Sequence, residues 1–278
     1  DTRVAAPRDQ AMILAALGDA NLAKRDADKA RAAYLEALAS DPDQAEARIG
    51  LARTHIIKGD LKAAEDEVRE AIKRNPESAE AHATLADLLT MRNEPEQSLL
   101  SLREAIRLAP RAVNYHFAHV SQLLRQGNAP EAEKALQAMQ AVAASHPSTR
   151  YLKALMDYQA NRLVEARDNL LQVLKDAPQY LPAELLAGTV LVRLNEHTQG
   201  RSHLERVLQR APGEPMARRT LVASHLATGE AQRALELLQP LLQAQELDPR
   251  LLSLAGQVFL ANGDFERSEE YFERASRA

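Results

Sequence analysis

The sequence predicts an all-α fold, an α-solenoid made of eight helix-turn-helix repeats of 34 residues each. Three observations predict it: abundant Ala and Leu, which favour helix, a 34-residue period without slip, and turn residues that recur at one position of the period. We place an N-terminal extension over residues 1–10 and the repeats over residues 11–278, and we expect the last repeat to be truncated. The repeats start at residues 11, 45, 79, 113, 147, 181, 215 and 249.

The first helix of each repeat is predicted from a column of mostly small residues, which ends in a turn. The small column reads Gly18, Ala52, Ala86, Val120, Ala154, Gly188, Val222 and Gly256. Seven residues later the turn column reads Arg25, Gly59, Asn93, Gly127, Asn161, Asn195, Gly229 and Gly263. Gly and Asn tolerate the left-handed backbone that follows a helix, so this column predicts the turn.

The second helix of each repeat carries a small residue and, four positions later, a large apolar one. The small residues are Ala30, Ala64, Ser98, Ala132, Ala166, Gly200, Ala234 and Ser268. The large residues are Tyr34, Val68, Leu102, Leu136, Leu170, Leu204, Leu238 and Phe272. Residues four apart share one helix face. We therefore predict that another helix approaches each small residue closely and that the large residue fills the space beside it.

Prolines mark the boundaries between repeats, because a proline ends one helix or opens the next. They are Pro42, Pro76, Pro110, Pro178 and Pro212. Ala144 and Glu246 replace the proline in two repeats, and Pro147 and Pro249 follow three residues later. There we predict a second helix prolonged by about a turn and a late start of the next helix. Pro240 lies inside a second helix and predicts a kink.

Composition and motifs exclude several functions. The net charge is −4 with no basic block, which argues against nucleic-acid binding, and no apolar run could span a bilayer. The absence of Cys excludes disulfides, thiolate zinc sites and Cys nucleophiles. Without a phosphate-binding loop or a catalytic triad, we expect neither enzymatic activity nor a cofactor. His116 and His119 have a spacing compatible with metal binding, but we interpret them as packed or surface histidines satisfied by a hydrogen bond.

The candidate site is an apolar and aromatic stretch of first helices in the middle of the chain. Its residues are Phe117, Leu124, Arg125, Tyr151, Leu155, Tyr158, Leu185 and Arg193. One interpretation is a groove that binds a helix or extended segment of a partner, with aromatic anchors and flanking arginines. The other is that these side chains fill the core between helices. Helical phase does not separate the two interpretations.

The repeat resembles the tetratricopeptide repeat, and residues 17–42, "LGDANLAKRDADKARAAYLEALASDP", match the family motif closely. The resemblance implies a right-handed superhelix whose first helices line a concave, protein-binding side. Family clamps for acidic C-terminal peptides use Lys, Arg and Asn on that side. The equivalent positions in the first three repeats lack this pattern. They are Ala15, Asp19, Ile49, Arg53, Ala83 and Asp87.

A second resemblance covers residues 145–219. It rests on His146-Pro147, on the run at 151–154 and on the run at 180–188. These segments are similar to the large PrsT-type repeat proteins of bacterial PEP-CTERM sorting and exopolysaccharide systems. The resemblance implies a periplasmic lipoprotein, anchored through a segment preceding this sequence, with envelope proteins and glycan as partners. Two alternatives remain open: a cytoplasmic adaptor or co-chaperone that binds client peptides, and an accessory segment of an enzyme.

Overall fold

A computed structural model describes residues 6–243 and 247–278, and these residues form helices joined by short turns. No β-strand occurs in them. The all-α repeat fold predicted from the sequence is therefore confirmed. The chain divides into two compact units, Asp1–Ala144 and Ser145–Ala278, hereafter unit 1 and unit 2.

Odd-numbered helices are the first helices of the repeats and even-numbered helices are the second ones. Unit 1 contains α1 (Pro7–Ala23), α2 (Ala27–Ser40), α3 (Ala45–Ile57), α4 (Leu61–Arg74), α5 (Ala79–Met91), α6 (Pro95–Leu108), α7 (Val113–Arg125) and α8 (Ala129–Ala143). Unit 2 contains α9 (Pro147–Gln159), α10 (Leu163–Asp176), α11 (Leu181–Arg193), α12 (His197–Arg210), α13 (Pro215–Ala227), α14 (Ala231–Leu238), a 3₁₀-helix (Gln239–Gln243), α15 (Pro249–Ala261) and α16 (Phe265–Arg277).

The helix starts follow the predicted repeat starts from the second repeat onward. The helices α3, α5, α7, α9, α11, α13 and α15 each begin at the predicted residue. The first repeat differs, since α1 begins at Pro7, inside the predicted extension. Proline suits the first position of a helix and Asp9 stabilises the first turn, so the helix starts earlier than the repeat period alone indicates.

The turn column has the predicted backbone conformation in every repeat. All four glycines and the three asparagines of the column have a positive φ. Arg25, the one residue of another type, has the same conformation with a φ of 61°. The position in the repeat therefore sets the left-handed turn, and Gly or Asn is the residue that adopts it at least cost.

The prediction that the second helix is prolonged by about a turn at Ala144, with a late start of the next helix, was wrong. The helix α8 ends at Ala143, one residue beyond the equivalent end of α10 at Asp176, and α9 begins in register at Pro147. His146 caps the start of α9, where its side chain accepts a hydrogen bond from the Ser148 amide. The corresponding prediction at Glu246 lies outside the described residues.

At Pro240, where the sequence predicts a kink, the structure shows a change of helix type. The α-helical part of α14 ends at Leu238, and a 3₁₀-helix continues over Gln239–Gln243. Because proline lacks the amide hydrogen and its ring crowds the preceding turn, the regular α-helical hydrogen bonds cannot continue through this position.

The two small-residue columns face each other across each helix pair, and all their members are buried. A Cβ atom added at Gly200 would lie 2.9 Å from the Gly188 carbonyl oxygen. Where the second-helix column contains serine, the hydroxyl donates to the facing carbonyl, as Ser98 does to Ala86 at 2.9 Å. The close approach predicted from these columns is confirmed.

We expect Ala132→Leu to lower the free energy of unfolding by about 1–3 kcal/mol, because Ala132 is fully buried in the close crossing and overpacking displaces backbone. Ala138 is exposed on the same helix, so Ala138→Leu is a matched control and should be nearly neutral. Urea unfolding followed by circular dichroism measures both. Equal effects of the two substitutions would argue against the close crossing.

Tyr34 has an unusual environment in the first repeats. Its fully buried ring lies between Gly18 and Gly50, and a Cβ atom at either glycine would overlap the ring. The Tyr34 hydroxyl donates to Asp19 Oδ1 at 2.7 Å. Burial and this hydrogen bond raise the pKa of Tyr34 above its usual value. The two glycines make room for a ring where most repeats hold an aliphatic side chain.

A buried carboxylate connects α9 to α10 in unit 2. The Asp157 side chain has no exposed surface and accepts hydrogen bonds from Lys153 Nζ at 2.7 Å and from Arg162 Nη2 at 2.7 Å. Asn169 Nδ2 lies 3.4 Å from the other carboxylate oxygen. Because a buried charge is stable only when it is paired, this cluster holds the turn between the two helices in one arrangement.

Candidate partner-binding groove

A groove of about 650 Å³ lies in unit 2 and is formed by the first helices α9, α11, α13 and α15. Its large aliphatic residues, hereafter the floor, are Val192, Met216, Leu251 and Leu254. Met216 is 51% exposed, so a large apolar side chain faces the opening. Exposed apolar surface rimmed by polar groups is typical of binding sites.

An arginine covers one ring at the edge of the groove. The Arg193 guanidinium carbon lies 5.0 Å from the centroid of the Tyr158 ring, a cation–π contact. Arg193 Nη2 also donates to Asn161 Oδ1 at 2.6 Å. Asn161 is the left-handed turn residue after α9, so the turn holds the guanidinium over the ring.

A second arginine of the groove binds a carboxylate of the chain itself. Arg219 Nη2 lies 2.5 Å from Asp248 Oδ2, and Asp248 Oδ1 accepts a hydrogen bond from the Leu251 amide at 3.0 Å. The amide hydrogen bond and then Arg219 hold the pKa of Asp248 below its usual value. The buried Arg219 Nε has no hydrogen-bond partner among the described residues.

Two of the predicted site residues, Tyr158 and Arg193, line the groove. Tyr151 and Leu155 do not line the groove and pack against a buried cluster of unit 2 that includes Leu170, which Tyr158 contacts as well. Tyr151 meets the Tyr180 ring edge to face, with centroids 5.2 Å apart, and burial raises the pKa of Tyr151. These two side chains therefore follow the core interpretation.

The other predicted site residues also lie outside the groove lining. Leu185 is half-buried and packs against the core around Leu204. Phe117 and Leu124 are half-buried on α7 of unit 1, and the exposed Arg125 donates from Nε to a neighbouring glutamine of that helix at 3.2 Å. These four residues are not among those that line the groove, and their binding of a partner stays a prediction.

The half of the groove that α13 and α15 provide is not among the residues predicted from the sequence. Arg219 occupies the same repeat position as Tyr151 and Leu185, 34 residues after the latter, but no aromatic residue marks this position in the last two repeats. A search of that column through the last repeats would have found Arg219. The partner of Arg219, Asp248, lies between repeats, and no periodic signal indicates it.

Unit 1 contains a pocket of about 630 Å³ with a different character. Asp19, Asp43 and Glu46 are among its lining residues, together with Arg8. Acidic side chains therefore outnumber basic ones among these charged residues. The pocket of unit 1 is thus lined by more acidic than basic side chains, whereas the groove of unit 2 is lined by arginines.

The interpretation as a packed histidine satisfied by a hydrogen bond is confirmed for His116 and is wrong for His119 Nε2. His116 Nε2 lies 2.9 Å from the Pro110 carbonyl oxygen, and His82 Nε2 lies 3.1 Å from that of Pro76. A carbonyl oxygen only accepts, so each Nε2 carries the hydrogen. These prolines mark repeat boundaries, so each histidine ties its helix to the turn before it. Within the described residues no group of three potential metal ligands occurs.

His119 differs from its neighbour. Its Nε2 is buried without a hydrogen-bond partner among the described residues. Burial, and then the charges of Arg103 and His116, lower the pKa of His119 from 6.5 to about 4, while Glu131 acts in the opposite direction. Between pH 6.5 and about pH 4 the His119 imidazole binds a proton in the unfolded chain but not in the folded protein. Lowering the pH through this range therefore reduces the stability of the fold.

We expect the protein to lose about 1–2 kcal/mol of unfolding free energy between pH 7 and pH 5 through His119. Other groups titrate as well, so the measurement is the difference between the wild type and His119→Gln in urea unfolding at both pH values. The variant should lose less stability on acidification. Equal losses would show that His119 protonates freely in the folded protein.

Comparisons with known proteins agree with the repeat architecture. Sequence-family profiles described as tetratricopeptide repeats match residues 21–88, 117–181, 191–258 and 249–278, which together cover most of the chain. No curated protein matches the sequence. In the described residues no helix is both long enough and apolar enough to cross a membrane.

Several solved structures share the fold at low sequence identity. A structure of PilF from Pseudomonas aeruginosa is 19% identical, with a TM-score of 0.65 over 76% of this chain and 96% of that one. A tetratricopeptide repeat protein from Parabacteroides merdae is 16% identical, with a TM-score of 0.62 over 84% and 92%. A chain of the APC/C hetero-tetramer Cut9–Hcn1 is 12% identical, with a TM-score of 0.72 over 96% and 48%.

The profile matches and the structure lead to the same assignment. The matched ranges contain most of the small residues and left-handed turns described above. Proteins of this kind generally act as non-catalytic scaffolds that bind other proteins. The chain belongs to the tetratricopeptide repeat family.

Proposed function

We propose that the protein is a non-catalytic scaffold that binds a protein partner in the groove of unit 2. The observation that carries this proposal is the groove itself, in which exposed Met216 and the rest of the floor adjoin arginines. Apolar surface beside guanidinium groups is characteristic of protein interfaces, where such residues contribute much of the binding energy.

We further propose that the protein serves exopolysaccharide assembly or export, or PEP-CTERM protein sorting, in a bacterial envelope. The similarity of residues 145–219 to PrsT-type proteins supports this role, and those residues include the helices α9 to α12 of the groove unit. The protein would then be periplasmic, with a lipid anchor in a preceding segment. Its partners would be components of that machinery, with glycan as a further ligand.

A pull-down with matched variants tests the groove. Wild-type protein is immobilised and exposed to solubilised envelope extract, alongside Met216→Asp and Met91→Asp. Met216 lines the groove, whereas Met91 is similarly exposed, at 53%, on α5 of unit 1. A partner that binds the floor should be captured by the wild type and by Met91→Asp but lost with Met216→Asp. Equal capture by all three proteins would place the binding surface elsewhere.

Cell fractionation tests the proposed location separately. The natural gene product, detected with an antibody, should be found in the envelope fraction and should incorporate a labelled fatty acid. Recovery in the cytosol without lipid would instead favour the alternative function, an adaptor or co-chaperone that binds client peptides. Mass spectrometry then identifies the captured partner. A component of the envelope machinery would support the envelope role, and a partner from outside that machinery would argue against it.

A further inference from the structure

We propose that copies of this protein associate head to tail, with α1 of one copy packed on α16 of another. The contact would repeat the way in which each first helix packs on the second helix before it, and it goes beyond the partner binding proposed for the groove. Two exposed surfaces carry the inference. The α1 face consists of Ile13, Ala16, Leu17 and Lys24, and the α16 face consists of Phe265, Glu266, Glu269 and Phe272.

The α16 face exposes two aromatic side chains, which lie two turns apart on one side of the helix. Phe272 is 36% exposed, whereas its counterparts in the other seven repeats are at most 3% exposed. Those counterparts are covered by the first helix of the next repeat, as Tyr34 is by Ala47 and Leu51 of α3. The α16 face is therefore apolar surface of the kind that a first helix covers elsewhere in this fold.

The α1 face lies at the positions through which first helices pack on the preceding repeat. Ile13 is 64% exposed, whereas six of its seven counterparts are at most 2% exposed. These six are Ala47, Ala81, Thr149, Ala183, Ala217 and Leu251. Leu251 shows that a large aliphatic side chain fits there, because it shares a buried cluster with Leu238, the counterpart of Phe272. An α1 face packed on an α16 face would thus place Ile13 against Phe272.

The shapes of the two faces match at the ring of Phe272. Tyr34 and Phe272 are the two aromatic residues of their column, and each ring lies against a glycine of its own repeat. The Tyr34 ring also lies against Gly50 on the next first helix, which leaves room for it. The counterpart of Gly50 on α1 is Ala16, a small and exposed residue. The α1 face thus offers a small side chain at the point where Phe272 needs space.

Ion pairs between neighbouring repeats show which charges such a contact requires. Lys58 follows α3, and its Nζ lies 2.6 Å from Asp28 Oδ1 on α2. Arg92 follows α5 and pairs with Glu65 on α4. Each cation comes directly after a first helix and binds a carboxylate on the second helix before it. Pairs of this kind fix register and partner choice.

The α1 and α16 faces carry the same charges at the same repeat positions. Lys24 follows α1 at the position of the two cations, and Glu266 and Glu269 occupy the positions of the two carboxylates. All three are exposed, and none forms an ion pair within residues 6–243 and 247–278. Lys24 of a second copy would therefore pair with both glutamates. This charge match, added to continuity with the packing between repeats, favours a second copy over an unrelated protein.

The contact joins two different faces, so a joined pair still offers one α1 face and one α16 face. Association would continue beyond the dimer until the ends meet in a ring or the concentration limits it. Each added copy contributes one groove of unit 2. Such an assembly would hold several copies of the partner, or bind a repetitive partner with an avidity that one groove lacks.

Sedimentation velocity of the full chain over about a hundredfold range of concentration tests the inference. The mean mass of the wild type should rise with concentration. Ile13→Asp places a charge in the contact and should weaken association at least about tenfold. Ile57→Asp is the matched control, because Ile57 is 62% exposed on α3 and lies on neither face. Circular dichroism confirms that each variant is folded. Equal association by all three proteins would overturn the inference.

Charge reversal assigns the orientation of the contact. Lys24→Glu and the double variant Glu266→Lys with Glu269→Lys should each associate about tenfold more weakly than the wild type, because like charges then meet. A mixture of the two variants should associate like the wild type, since each altered face then meets an altered face of opposite charge. Raising the ionic strength from about 0.05 M to about 0.5 M should reduce both effects. Failure of the mixture to recover association would rule out the head-to-tail arrangement.

Two further results would identify a different occupant of the α16 face or a different contact. Loss of association with Met216→Asp would place a second copy in the groove rather than on α16. A natural gene product in which another helix pair directly follows residue 278 would also overturn the inference, because that pair would cover the α16 face within one chain. Association that survives Met216→Asp while partner capture is lost would support the head-to-tail contact as a surface separate from the groove.

Discussion

Replacing Tyr34 with alanine is expected to lower the free energy of unfolding of unit 1 by about 3–5 kcal/mol, the range found for deletion of a fully buried aromatic ring. The ring has no exposed surface and lies between Gly18 and Gly50. Neither glycine has a side chain that could move into the space. The cavity would therefore remain largely open, and an open cavity gives the upper part of the range.

Tyr34→Phe separates packing from hydrogen bonding. It keeps the ring and removes only the hydroxyl that donates to Asp19. Asp19 is exposed and can bind water instead, so we expect a cost below about 1 kcal/mol. Urea unfolding of the three proteins, followed by circular dichroism, gives both values. A cost for Tyr34→Phe equal to that for Tyr34→Ala would mean that the hydrogen bond, not the ring, stabilises the repeat.

Asp157→Asn is expected to lower the free energy of unfolding of unit 2 by about 2–3 kcal/mol at neutral pH. The substitution keeps the size of the side chain and removes the buried charge that Lys153 and Arg162 share. Both cations are partly exposed, 36% and 47%, so they can recover hydration and the cost stays below that of a fully enclosed pair.

The matched control for Asp157 is Glu165, an exposed carboxylate at the start of α10. Glu165→Gln should change the unfolding free energy by less than about 0.5 kcal/mol. Thermal unfolding of the two variants and the wild type provides the comparison. If Asp157→Asn and Glu165→Gln had the same free energy of unfolding, the cluster would orient the turn between α9 and α10 without stabilising the fold.

The repeat fold could be predicted from the sequence because its determinants are local and recur. Two features recur every 34 positions, and each has a direct physical cause. One is the turn residue with a positive φ, and all eight turn positions have the predicted backbone. The other is the small residue at each helix crossing. The exception at Pro7 is local as well, since a proline and an acidic first turn started α1 earlier than the period indicated.

The candidate site could be predicted only in part, because packing between helices decides it. Tyr151 and Tyr158 lie on the same helix, two turns apart, yet Tyr151 packs against Tyr180 and Tyr158 lines the groove. Helical phase gives both residues nearly the same direction. The partner of each ring comes from another helix, and the contact of Arg219 with Asp248 likewise joins residues that no periodicity relates.

The regular return of helix starts from α3 onward has a consequence for how such a chain can change length. An in-frame duplication or deletion of 34 codons would restore every later side chain to its former direction. Insertion of one residue into a helix would rotate all following positions of that helix by about 100° and move the small residues out of the crossings. We therefore expect natural relatives to differ in length mostly by whole repeats, with smaller insertions confined to the turns between them.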